Sequence, residues 1–210
     1  IIITYFLLLV PIMFLPFFDP TYLLFVLPAF LLGTVASLLL SHWTKKYSQE
    51  NIINNLIGVE IIDKISQKYN LRLSIADSGQ MLSSSYDPRL KIINISNDIA
   101  HGSTISGTGI LAHELGHAIQ HQNGNFLAGI RTAIVPVVNI GTNIGYFLLI
   151  AGLVLSFSTL SWIGLFLFSL TTVFVLITLP LEIDASIKAN KILRGMQLCY
   201  PNEMPKINKI

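Results

Sequence analysis

The run His113-Glu114-Leu115-Gly116-His117 sets two imidazoles four residues apart, with a carboxylate beside the first. On a helix, residues i and i+4 share a face, so both rings can reach one metal ion while Glu114 reaches a metal-bound water. With five His and five Glu in 210 residues, this H-E-x-x-H pattern arises by chance about 0.003 times per chain. It is therefore far more specific than a lone histidine, whose plain reading is a surface or core side chain on an amphipathic helix.

A catalytic zinc takes three protein ligands and leaves a fourth position for water, so a third donor must come from elsewhere. Glu182 and Asp184 are the candidates, in Leu179-Pro180-Leu181-Glu182-Ile183-Asp184, where the last apolar run meets water. On a helix they lie about 200° apart and cannot both face the metal. Asp184 has Lys188 four residues ahead as an ion-pair partner and Glu182 has none, which favours Glu182 over Asp184. The alternative for Glu182 is an interfacial carboxylate that ends a span. Of the other histidines, His121 reads as an outer partner of the site or as exposed, His101 as part of the loop before the metal helix, and His42 as interfacial.

The elements that must hold these residues are mostly membrane elements. The chain is 52 % hydrophobic and 11 % charged, against about a quarter charged in soluble domains. Pro20–Leu40 is an almost unbroken apolar run long enough to cross a hydrocarbon core of roughly 30 Å. Ile1–Phe17 is shorter and contains Pro11 and Pro16; it reads either as an extra span or as an interfacial segment. A cleaved signal peptide is disfavoured, because no basic region precedes the apolar stretch and no small-x-small site follows it. Two further runs, about Ile134–Phe157 and Leu160–Leu181, are joined at Ser158-Thr159 and predict a transmembrane hairpin. Asn139, Gly141, Asn143 and Gly145 form a small, polar face in its first arm, as helix packing within a membrane requires.

Between the first span and the hairpin the composition is that of a soluble domain. Ile53, Leu56, Ile57, Ile61, Ile62 and Ile65 recur at helical spacing over Asn51–Tyr69. Alternation at Leu71, Leu73 and Ile75, and Ile92, Ile93 and Ile95 after the turn Asp87-Pro88-Arg89, predict two or three short antiparallel strands. The strand around Lys91–Ile95 could accept an extended peptide by edge addition, or equally well pack inside the domain. Ser103 or Thr104 can cap a helix over Ile110–Gln120 that stops near Asn123-Gly124 and carries the H-E-x-x-H residues.

All thirteen Lys and Arg lie in this domain or in the tail, and the Ser156–Ser161 turn has none; by the positive-inside rule the domain and tail face the cytosol. The basic residues are dispersed among acids and there is no glycine-rich phosphate loop, so nucleic-acid and nucleotide binding draw no support. The spans carry almost no ionisable residues at their centres, which argues against a transporter or channel. The single cysteine, Cys199, can build neither an intrachain disulfide nor a Cys-type zinc site and reads as a plain thiol.

From Phe18-Asp19-Pro20-Thr21-Tyr22 to about Ile192 the chain resembles the YugP-type neutral zinc metallopeptidases, a family of bacterial membrane proteins. The matching stretches are Tyr86-Asp87-Pro88-Arg89, Ala112–Gln120, Val135-Pro136-Val137-Val138-Asn139-Ile140-Gly141 and Leu179-Pro180-Leu181-Glu182. More distantly the layout is similar to the HtpX and prenyl-protein-processing membrane gluzincins, where a glutamate after the later transmembrane segments completes the zinc site. By that resemblance Glu182 is the third ligand. The chain departs from the family at both ends: Ile1–Pro11 extends beyond the usual start, and members usually continue past the position of Lys206 into another apolar helix.

Together these readings predict an α-helical multi-pass membrane protein with a small α+β zinc-peptidase domain, built on an H-E-x-x-H helix and a short antiparallel sheet. Residues 1–42 form the membrane anchor with a span at 20–41, residues 43–133 the cytosolic catalytic domain, 134–182 the transmembrane hairpin ending in the third ligand, and 183–210 a cytosolic tail. The expected function is zinc-dependent hydrolysis of peptide bonds in a peptide or protein substrate, at the bacterial cytoplasmic membrane, with one Zn2+ per chain. His113, His117 and Glu182 hold the metal and Glu114 is the general base. The alternative is a non-enzymatic membrane scaffold whose structural zinc is closed by a fourth protein ligand, His121 or Asp184.

Overall fold

The computed structural model describes residues 20–79 and 82–210; the reading of 1–17 as a span lies outside them. The chain divides into two compact units at Lys45–Lys46. The first contributes most of helix α1 (Pro20–Tyr47), which contains Pro28 and leaves Leu31, Leu32, Leu38 and Leu39 exposed.

In the second unit, α2 (Gly58–Tyr69) buries Ile61, Ile62 and Ile65, one stripe at helical spacing. The helix starts later than the expected Asn51. Asn55 takes a positive φ of 50°, which breaks any earlier helix, and Glu60 reaches back to accept the Ile57 N–H at 3.1 Å. Ile53, Leu56 and Ile57 therefore precede the helix.

Three short strands follow, β1 (Ser74–Asp77), β2 (Ser84–Asp87) and β3 (Ile92–Ile95), in the order β1-β3-β2. The sheet is mixed, which corrects the expected antiparallel one: β3 runs antiparallel to β2 and parallel to β1. The chain reverses twice before β3, so a strand inserted between the other two must run the same way as β1. Burial dictates that insertion, because Ile93 and Ile95 are fully buried whereas Ser84, Ser85 and Asp87 tolerate an edge. The centre position also removes the edge expected of Lys91–Ile95; that edge belongs to β2. The β2–β3 turn is held by Asp87 Oδ1, which accepts the Arg89 and Leu90 N–H groups, and Arg89 Nη2 ties it to Thr132 O at 2.8 Å.

Helix α3 (Asn97–His101) is one short turn that ends on exposed His101, so this residue is helical rather than in a loop. Helix α4 (Ile105–Gln122) starts where Thr104 accepts the Gly107 N–H at 3.0 Å and gives way to Gly124 at φ 66°.

The two longest helices, α5 (Phe126–Val154) and α6 (Ser158–Gly195), form an antiparallel pair, and among the described residues they are the two long and apolar enough to cross a membrane. They meet backbone to backbone: a Cβ on Gly164 would lie 2.3 Å from Leu149 N, and one on Gly145 would lie 2.7 Å from Phe168 N. Thr142 and Thr171 hydroxyls bond across the pair at 2.6 Å. The expected packing face is thus corrected in part. Gly145 lies in the contact, but Asn139 and Asn143 are exposed, because glycine permits the close approach and an amide would block it.

Helix α6 does not end at Leu181 but runs on to Gly195, carrying Glu182 past the apolar stretch and onto α4. The contact is close. A Cβ on Gly116 would stand 2.7 Å from Ala185 O, so glycine at this position lets the two helices approach. Helix α7 (Met204–Ile207) follows buried Glu203, whose carboxylate accepts the Ile53 N–H at 2.7 Å and the Tyr200 N–H at 2.6 Å. Cys199 is buried beside it, and burial, helped by the Glu203 charge, pushes its thiol up to about 12. Since the thiolate is the reacting form, the native protein should be alkylated by iodoacetamide at pH 8 at least about a hundredfold more slowly than the unfolded chain. Equal rates would show that Cys199 is not held as described.

Candidate metal centre

Three helices converge on one point. His113 and His117 project from α4 with ring centroids 4.7 Å apart and planes at 87°. Their Nε2 atoms lie 3.1 and 3.2 Å from the same oxygen, Glu182 Oε2 on α6. The other oxygen, Oε1, is 3.2 Å from Arg131 Nη2 on α5. A guanidinium thus leaves one carboxylate oxygen facing the two imidazoles.

Tetrahedral zinc sites place nitrogen and oxygen donors about 2.0–2.2 Å from the metal, and hence about 3.3 Å from one another. The His113, His117 and Glu182 donor atoms all lie within 4.8 Å of one another, and both nitrogen–oxygen spacings are already close to that value. Two imidazoles and a carboxylate also match zinc's preference for nitrogen and oxygen ligands. The residues present fit the ion, and a set of three leaves a position open.

Glu114 lies outside this donor set. Its Oε2 accepts the backbone N–H of Tyr86, from edge strand β2, at 2.9 Å. Burial pushes the Glu114 carboxyl above the ordinary carboxylate range, against the opposing pull of His117, His113 and the Tyr86 N–H. A carboxylate in this condition holds a proton more readily than one in water, as a group that must take and return a proton requires.

Asp184, the other candidate for the third corner, points elsewhere: it pairs with Lys188 and accepts from Gln120 Nε2. His121 Nδ1 lies 3.4 Å from the Tyr86 hydroxyl rather than with the other imidazoles. His42 packs edge-on against Trp43 in α1.

Three contacts had no role assigned from the sequence. Gln120 bonds His117, Ser186 Oγ lies 3.2 Å from His113 Nδ1, and Arg131 meets Glu182. Helical spacing carried a signal for two of them, since Gln120 is three residues beyond His117 and Ser186 four beyond Glu182. Arg131 carried only the oddity of a lone cation at the head of an apolar helix.

Two cavities border the site. A cavity of about 520 Å³ is lined by Tyr86, Arg89, His117, Arg131 and Asn139. A second, of about 390 Å³, is lined by His113, Glu114, Ser186 and Ile207. The first meets the imidazole pair at His117 and the second at His113.

Residues 22–210 match the family described as "Putative neutral zinc metallopeptidase". The chain is also 31 % identical over 190 residues to a protein of Bacillus subtilis (strain 168) named "Putative membrane protease YugP", an alignment covering 86 % of this chain and 84 % of the relative. No solved structure gives a significant match.

Proposed function

This chain belongs to the neutral zinc metallopeptidase family, and from that premise we propose that it is a membrane-bound peptidase in which His113, His117 and Glu182 hold one zinc ion and Glu114 is the general base. The convergence of both Nε2 atoms on one Glu182 oxygen, across 65 and 69 residues of sequence, carries the reading. Zinc bound there would supply a Lewis acid that brings the pKa of water to about 7. Glu114, oriented by the Tyr86 N–H, takes the proton of the attacking water and returns it to the leaving amine.

The peptide lies along the outer edge of β2, which pairs with β3 on its other side only. Main-chain hydrogen bonding along that edge would present an extended backbone beside Glu114. Helices α1, α5 and α6 cross the membrane, which accounts for the exposure of Phe147, Trp162, Phe166 and Leu176. The domain and tail, which hold the basic residues, face the cytoplasm. The scaffold alternative draws no support, because neither His121, which faces the Tyr86 hydroxyl, nor Asp184, which is engaged by Gln120 and Lys188, belongs to the donor cluster.

The test is purification in mild detergent, elemental analysis, and an unfolded-casein cleavage assay before and after chelation. About one zinc per chain is expected, with cleavage abolished by the chelator and restored by zinc. A protein that binds no zinc, or that cleaves equally well without it, rules the reading out.

A further inference from the structure

Gln120 is 1 % exposed and makes three hydrogen bonds. One amide atom lies 2.8 Å from Leu181 O and 2.8 Å from Asp184 Oδ2. A carbonyl and a carboxylate paired with Lys188 can only accept, so that atom is the NH2 group. The other amide atom is therefore the carbonyl oxygen, and it lies 2.9 Å from His117 Nδ1. A carbonyl oxygen cannot donate. His117 Nδ1 must carry the proton in this bond, which leaves Nε2 free to present its lone pair toward a metal.

The same side chain also reaches across to α6, gripping it on both sides of Glu182 through Leu181 and Asp184. His113 lacks such a constraint, because its Nδ1 faces the Ser186 hydroxyl, which can donate or accept.

We propose that Gln120 is the positioning residue of the metal centre: its carbonyl holds His117 in the metal-binding tautomer, and its NH2 group sets the register of the helix that carries Glu182. The proposal rests on the zinc reading above. It assigns opposite ends of one amide to two ligands on different helices, so two substitutions separate the functions. Gln120→Leu removes both ends. Gln120→Glu keeps an acceptor for the His117 Nδ1–H but sets a carboxylate oxygen against Leu181 O and Asp184, and so loses the grip on α6.

The experiment compares full-length wild type, Gln120→Leu and Gln120→Glu in detergent. Zinc affinity is measured by chelator competition, the melting temperature is measured without metal, and the His117 Nδ1–H resonance is recorded with zinc bound. Wild type should show a slowly exchanging His117 Nδ1–H. Gln120→Leu should lose that protection and bind zinc about 10- to 100-fold more weakly. Gln120→Glu should bind zinc more tightly than Gln120→Leu even though its metal-free form melts no higher. A purely structural glutamine predicts that affinity follows melting temperature across the three proteins, and that order would overturn the proposal. So would Gln120→Leu binding zinc within twofold of wild type, which leaves the zinc site itself intact. Wild type without zinc overturns the site and this proposal together.

Discussion

Replacing Glu114 with Gln should leave about one zinc per chain in place while lowering the turnover of casein by about 10²- to 10⁴-fold. The two readouts separate because Glu114 is outside the donor set and bonds the Tyr86 N–H instead. A glutamine carbonyl can accept that same N–H at the same reach, so the link between β2 and α4 persists. What the amide cannot do is take a proton from water and return it to an amine. Metal content by elemental analysis and kcat from initial rates decide the matter together. Turnover within tenfold of wild type would remove Glu114 from its role as base. Loss of zinc along with activity would make it part of the metal scaffold.

The second large effect is expected at the third corner. Glu182→Ala removes the oxygen on which both imidazoles converge and deprives Arg131 of its ion pair. Zinc affinity by chelator competition should fall by well over about a hundredfold, more than loss of an outer partner of a ligand brings. Asp184→Ala is the proper contrast, since Asp184 is two residues away and of the same chemistry. It should weaken zinc by less than about tenfold, because Gln120 keeps its bond to Leu181 O when Asp184 is gone. The reverse order would transfer the ligand role to Asp184.

The three residues that converge in the candidate metal centre were legible in the sequence because their geometry is local or chemically narrow. His113 and His117 are fixed relative to each other by the α-helical repeat. Glu182 was separated from Asp184 by the absence of a neighbouring cation, and its partners prove to be imidazoles and Arg131. The sheet was less legible because its order is set by which strand the core buries. β2 is too polar to announce itself by alternation, and β3 is central because Ile93 and Ile95 need cover on both flanks. The start of α2 was misplaced for a related reason. Apolar periodicity continues through Ile53 and Ile57, and only the positive φ of Asn55 and the Glu60 hydrogen bond end the helix. Gln120 lay in view within the motif, but its meaning depends on acceptors more than 60 residues away.

The order in which the donors occur along the chain has a consequence for biogenesis. His113 and His117 precede both long apolar helices, and Glu182 lies within the second of them, beyond its apolar stretch. A ribosome therefore completes the imidazole pair while the carboxylate is still unsynthesised, and the site closes only when α6 has returned to lie against Gly116. Until then the growing polypeptide holds two of the three proposed donors. On the proposed zinc reading, the three ligands come together only once the hairpin is in place.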